Sequence, residues 1–498
     1  METIKVKKNH FLYYVICILM SMVLLGFIIA NTYSVPSEIA VRISAAVLIA
    51  IYVLSLIWWG TVTHKYTSLF FVFFIYCFFS NAGQTLLYLF NIKFTVIVQV
   101  YERYSSNLLI KMHLHQALCI LSLMFGGVLA NSKHSAARSS LNIVSKSSLN
   151  GSTRRHTKVA DVTFLISTAL VLAIFASRLF VRTINNYGAA YEQYEASSIN
   201  ITIYFAYHVL LFASIINHFH DKYKKAIYVV AITMAILMLI AGTRSYIIPS
   251  LFGILFLGTF LEKEELKLKR KQVVLGVVLI PLFLIFLNGM FRLRQYPLQD
   301  ISWSTIGQAY SANFFSGLVD AVQEMGGSAR SVLLTMHLVD NGVYNGEPTI
   351  AYSWLKGFCP IELLSFFGFD QPLRLELSKW ITNEGGSTSG WGYSIIAEVY
   401  YNFGSYAFAF MFFFGSLFVK LENWCIRLIK RGHIYAGCSV LYLLAYAIFL
   451  ARADMFLMSS RIRLCVYVLI ASYLFYVLKN KHWQLPTSQI FKERKEMD

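Results

Sequence analysis

The chain reads as an all-α integral membrane protein of about twelve transmembrane helices, with a long outer loop of short helices between spans nine and ten. Three observations lead there. Of its 498 residues, 57% are hydrophobic and 14% charged, and the mean hydropathy is +0.58, well outside the range of a soluble globular domain. Apolar stretches long enough to cross a hydrocarbon core of roughly 30 Å recur along the chain and leave no room for a separate soluble domain of ordinary size. Lys and Arg are concentrated in alternate connections between these stretches.

The first span, residues 11–31, follows the basic flank KVKK as a signal sequence would. Its apolar core is too long and has no small-residue cleavage site, so it is expected to stay. Spans two to seven fall at 40–59, 68–90, 112–130, 162–183, 201–218 and 225–241. The eighth, 246–261, is interrupted by Pro249, and the ninth, 272–291, leads into the long loop. Spans ten to twelve occupy 395–419, 433–451 and 462–478. The chain therefore divides into nine spans over 1–291, a loop over 292–394, three spans over 395–478 and a tail over 479–498. The seven cysteines have no CxxC spacing and only Cys359 lies in the long loop, so neither a disulfide framework nor a zinc site is expected.

Basic segments resist translocation, which sets the orientation. The connections holding KVKK, THKYT, the Ser-rich stretch up to Lys158, HDKYKK, EKEELKLKRK and KLENWCIRLIKRGH, with the C-terminal tail, carry 27 of the 43 basic residues. That side is expected to be cytoplasmic, with both termini, and the 292–394 loop to lie outside.

The basic residues also divide by type. The inside connections hold 20 Lys and 7 Arg, the outer loops and outer helix ends 4 Lys and 12 Arg. Lysine is a hydrated point charge, whereas the planar guanidinium fork binds phosphate or carboxylate bidentately and tolerates partial burial. An outward excess of arginine points to an anionic ligand. LMLIAGTRSYIIPS places Arg244 at the outer hairpin tip between spans seven and eight, in company with Arg292, Arg294, Arg330, Arg374, Arg452, Arg461 and Arg463. A plainer role competes for each: snorkelling to headgroups, or pairing with an acid, as Arg452 with Asp454. Arg42, Arg178 and Arg182 suit interface anchors.

In the long loop, FSGLVDAVQEMGGSARSVLLTMHLVD has helical spacing around a glycine break, and FCPIELLSFFGFDQPLRLELSKW reads as an amphipathic stretch lying in the interface. Trp303, Trp354, Trp380 and Trp391 fall here, suited to sugar rings or to the membrane interface. The Gly/Ser-rich GGSTSG, a plausible hinge, feeds a helix starting near Tyr393 on which Glu398, Tyr401 and Asn402 share one face. An acid just inside a span is costly and is normally paired or functional: Glu398 is a candidate general base, or the partner of an arginine. Glu324, Arg330 and His337 form a second polar group. His113 and His115, two apart, do not face the same way and are not read as a metal site.

The sequence has no GxxxxGK[ST] loop, HExxH, GxSxG or Asp-x-Asp pair, and its spans carry few mid-span charges of the kind a transporter needs. No metal, cofactor or nucleic acid is called for. At AGTRS, EMGGSAR and above all GWGYSIIAEVYYNFGSYAF, the sequence resembles the Wzy-type O-antigen and capsular polysaccharide polymerases of bacteria, from about Arg244 to the end.

The resemblance implies an all-helical, GT-C-like membrane glycosyltransferase of the lipid-linked class in the bacterial inner membrane. It implies a donor glycan on undecaprenyl pyrophosphate, an acceptor repeat unit on the same lipid, and a chain-length regulator and a flippase as pathway partners. On that reading Arg244 with Arg292 or Arg294 would clamp the diphosphate. Arg330, Arg452 or Arg461 would hold the acceptor lipid, with Tyr401 and Asn402 nearby. Glu398 would take the proton from the attacking hydroxyl, with Glu324 and His337 in reserve. A glycan ligase is the nearest rival, and a lipid-linked oligosaccharide flippase a more distant one.

Overall fold

A computed structural model of the chain describes residues 2–33, 37–63, 67–92, 104–135, 153–184, 198–219, 221, 223–240, 244–261, 286, 289, 292–293, 296–310, 314–342, 347–359, 361–369, 371–372, 374–386 and 392–483. Every regular element among them is helical. The first eight are α1 (Glu2–Thr32), α2 (Glu38–Thr63), α3 (Leu69–Leu89), α4 (Ser106–Ser135), α5 (Thr153–Ile184), α6 (Ser198–Asn217), α7 (Lys224–Ile240) and α8 (Arg244–Leu261). Six short ones follow: α9 (Trp303–Tyr310), α10 (Phe314–Met325), α11 (Ser328–Asp340), α12 (Thr349–Phe358), α13 (Ile361–Phe366) and α14 (Leu377–Glu384). The last four are α15 (Ile395–Phe403), α16 (Ala407–Lys430), α17 (Ile434–Ala447) and α18 (Phe456–Trp483).

Nine stretches among the described residues are long and apolar enough to cross a membrane. They are Val15–Thr32, Glu38–Thr63, Leu69–Leu89, Ser106–Asn131, Asp161–Val181, Ile199–Asn217, Ile395–Lys430, Ile434–Arg452 and Phe456–Leu478. They match nine of the twelve expected spans. At the seventh and eighth positions α7 and α8 are helical but shorter in apolar length, the apolar part of α8 being Pro249–Thr259. The expected ninth span, 272–291, falls largely outside the described residues. Pro249 sits within α8, and the hydroxyl of Ser250 beside it meets His208 Nε2 of α6 at 2.8 Å.

Small residues set the centre of the bundle. A Cβ on Gly126 of α4 would lie 2.0 Å from the carbonyl oxygen of Phe412 in α16, and one on Gly415 would lie 2.1 Å from that of Leu123. The two backbones are therefore in direct contact, the close approach that small residues permit between helices in lipid. Beside them Phe70 and Phe73 of α3 pack on Phe414 and Phe418 of α16. The backbone N–H of Phe70 donates to Glu422 Oε2 at 3.2 Å, so a buried acid closes the N-terminus of α3, where the helix dipole favours it.

The loop helices fold over one end of this bundle. As the glycine break in EMGGSAR predicts, α10 and α11 separate at Gly326–Gly327. A Cβ on Gly326 would lie 2.6 Å from the backbone nitrogen of Gln84, so this turn rests directly on the C-terminal end of α3. Further round, α12 packs along the first turns of α18.

Replacing Gly415 by Ala should force α4 and α16 apart and destabilise the fold by roughly 1–3 kcal/mol, the usual cost of overpacking. Gly258→Ala, at a position with nothing within 4 Å of the added carbon, should be neutral or stabilising by up to about 1 kcal/mol. Thermal unfolding of the two purified variants in detergent measures the difference.

Candidate functional site

Three segments meet at the loop end of α3: the α10–α11 turn, residues 392–394 leading into α15, and a 3-10 turn, Ile448–Arg452, that ends α17. Their junction is made of side chain to backbone bonds. Ser394 is extended (φ −157°, ψ 141°) and caps α15, its Oγ accepting from the N–H of Ile396 and donating to Asn81 Oδ1 at 2.7 Å. Asn81 in turn donates from Nδ2 to the carbonyls of Cys77 and Ala451. The hydroxyl of Ser331 in α11 donates to the Gly392 carbonyl at 2.6 Å, and the Tyr393 N–H donates to the Arg452 carbonyl at 3.1 Å. Gly392 has φ +72°, and a Cβ there would lie 3.0 Å from Arg452 Cγ. Backbone conformation and space both require glycine.

The guanidinium group of Arg452 held by this junction faces Glu324 of α10, with Nη2 3.8 Å from Oε1 and both side chains less than one-fifth exposed. Asp454, the partner considered from sequence, instead accepts from the Ser378 N–H at 2.9 Å. Arg330 of α11 belongs to the same group. Burial, and after it the positive charge of Arg452, lower its pKa to about 10, leaving it charged at neutral pH. One turn before Glu324 on the same helix, buried Asp320 accepts a hydrogen bond from Arg292. Helix α10 thus offers two acids at i and i+4, each facing an arginine from a distant part of the sequence.

The other expected residues are placed differently. Arg244 opens α8, a helix that packs on α17 and touches the 448–452 turn, but the described structure stops short of its side chain. Arg294, Trp391 and the last four residues of GGSTSG lie outside the described residues. Arg461 is buried, donates to the Leu457 carbonyl at 2.8 Å and stacks 4.4 Å above the Tyr446 ring. Arg374 pairs with Glu347 at 3.2 Å.

Glu398 is fully buried. Its Oε2 accepts from the Met455 N–H at 2.6 Å and its Oε1 from the Thr349 hydroxyl at 3.3 Å. A backbone donor and a hydroxyl stand where an arginine was the alternative. Asn402 shares its face as expected, donating to Thr349 Oγ1 at 2.9 Å and accepting from the Ile350 N–H at 3.2 Å. Together the two residues tie α15 to the start of α12 and to the turn before α18. Tyr401 turns toward Trp380, with ring centres 5.4 Å apart. His337 is exposed at the end of α11, beside Asn341 and Tyr104. His113 meets Ser44 of α2 while His115 meets the Ile396 carbonyl, so the two do point to different neighbours. Among the described residues no group of His, Cys, Asp and Glu could hold a metal ion.

Ser80, Asn81 and Gln84, all fully buried, contribute more to this end of the bundle than sequence reading foresaw. Their signal is SNAGQT, a polar and small run inside an apolar span, which marks where α3 turns to protein instead of lipid. Ser331 and Gly392 carry no such mark.

The loop end of the bundle thus brings two guanidinium groups together, one of them facing a carboxylate. A family model matches the chain over residues 13–481, which makes the protein a membrane glycosyltransferase. The chain belongs to the O-antigen polysaccharide polymerase Wzy family, whose members polymerise lipid-linked repeat units. No curated protein and no solved structure matches it.

Glu398→Leu removes both acceptors and leaves the Met455 N–H and the Thr349 O–H proton buried without an acceptor, so it should destabilise the protein by about 1–3 kcal/mol. Glu398→Gln, which keeps an acceptor oxygen, should lose clearly less. Unfolding midpoints compared with wild type test this ordering.

Proposed function

We propose that the protein transfers a growing glycan from undecaprenyl pyrophosphate onto one new repeat unit carried by the same lipid, on the side of the membrane where the long loop lies. The observation that supports this best is the closeness of Arg330 to Arg452, whose guanidinium group faces Glu324. The donor already carries its leaving group, so the electrostatic task is to stabilise charge that develops on diphosphate oxygens as the anomeric carbon to oxygen bond breaks. Adjacent guanidinium forks suit that charge better than lysine would.

In this reading Arg330 and Arg452 hold the diphosphate, and Arg292, bonded to Asp320 one helical turn before Glu324, and Arg244, at the start of α8, extend the basic rim for the second lipid. Glu324 is the carboxylate that faces Arg452. It accepts the proton of the attacking sugar hydroxyl, whose oxygen bonds to the anomeric carbon while undecaprenyl pyrophosphate departs. Glu398 serves as a positioning residue through its hold on α12 and α18. The Lys-rich connections and both termini face the cytoplasm.

Polymerisation of purified lipid-linked repeat unit by the reconstituted protein tests the assignment. Arg452→Lys and Arg330→Lys should each lower turnover by about 10²-fold, the usual loss for one preorganised donor to a developing charge. Glu324→Gln should abolish turnover while leaving the lipid bound. Full activity in either arginine variant overturns the clamp.

A further inference from the structure

Helix α13 is apolar on both sides. On one, Leu364 is buried with Tyr352 and Leu375, and Leu355, Cys359 and Phe456 pack around them, which fixes α13 against the first turn of α18. On the other, Leu363, Phe366, Phe367 and Phe369 are 43%, 82%, 65% and 50% exposed. Such a patch marks an interaction surface when it stands on a short loop helix.

Its depth identifies the partner. Gly357, at the end of α12, lies so close to α18 that a Cβ would come within 2.9 Å of Ile462 Cγ2. Ile462 is six residues into the span Phe456–Leu478, about 9 Å along it at ~1.5 Å per residue. Helix α12 thus runs along the upper turns of a membrane span, and α13, packed through Leu364 near Phe456, carries the exposed phenylalanines at the start of that span. Cations gather at the same level. Lys356 Nζ lies 4.2 Å from the centre of the Phe456 ring. Burial and, after it, the charge of neighbouring Arg463 push Lys356 below the ordinary lysine range. Arg463 Nε is buried with no hydrogen-bond partner.

We propose that α12 and α13 form an interfacial foot that inserts Phe366, Phe367 and Phe369 into the leaflet on the loop side, while Lys356 and Arg463 hold the phosphate of an anionic phospholipid. The foot thereby sets the depth at which the loop helices, and the α12 start tied to Glu398, sit against the bilayer. Glycerophospholipid is the occupant because the surface joins an acyl-compatible face to two cations at the boundary of a span.

The test uses full-length protein in nanodiscs of phosphatidylcholine with a minor fraction of phosphatidylglycerol, without glycan substrate, so its outcome does not depend on the polymerase reading. Benzoylphenylalanine placed at Phe366 or Phe367 should, on irradiation, give phospholipid adducts by mass spectrometry at a yield like that at Ile470, a lipid-exposed position of α18. No adduct at either loop position, with adducts at Ile470, overturns the insertion. Phosphatidylglycerol should be enriched in the lipid retained after detergent extraction. Lys356→Gln and Arg463→Gln should each lower that enrichment about fivefold, whereas Lys356→Arg should keep it. Unchanged enrichment in both glutamine variants, with unfolding midpoints like wild type, overturns the phosphate site.

Discussion

A guanidinium group is costly to place in hydrocarbon without company, and the loop end of this protein is organised around that constraint. Arg452 faces Glu324, Arg292 bonds Asp320, and Arg374 bonds Glu347. In each case the acid comes from the long loop; Arg292 and Arg374 come from that loop too, and Arg452 from the turn that ends α17. At the α10–α11 turn Arg330 and Arg452 lie close enough for the charge of one to lower the pKa of the other.

Holding like charges together requires a stiff frame, and the frame here is largely backbone. Gly126 and Gly415 bring α4 and α16 into contact, Gly326 seats the loop on α3, and Gly392 lets the chain pass over the stem of Arg452. Buried polar side chains then lock the segments. Asn81 joins Ser394 to the carbonyl of Ala451, and Glu398 joins α15 to Thr349 and Met455. Fully satisfied, such groups specify one arrangement, because any other leaves donors or acceptors unpaired in a medium with little water.

Glu398 shows how far a local reading reaches: it finds the residue but not its partners. An acid near the start of an apolar span must be paired or functional, and the i, i+4 relation to Asn402 is real. Its distance from every potential partner was not legible, since Thr349 and Met455 are 49 and 57 residues away in sequence. The same holds for Arg452. Asp454 is two residues off and an obvious partner, yet Glu324, 128 positions earlier by residue number, is the acid it meets.

Hydropathy, the alternation of basic connections and the glycine break in EMGGSAR determine the helical membrane class, most of the spans and the division of the loop into short helices. These are local properties: a run of apolar side chains satisfies its backbone only as a helix in lipid, and Gly-Gly weakens a helix wherever it falls. Which arginine faces which acid, and which acid is sealed away, depend on contacts between segments from about fifty to more than a hundred residues apart. No spacing rule encodes such contacts, so only the packing of the helices against one another decided them.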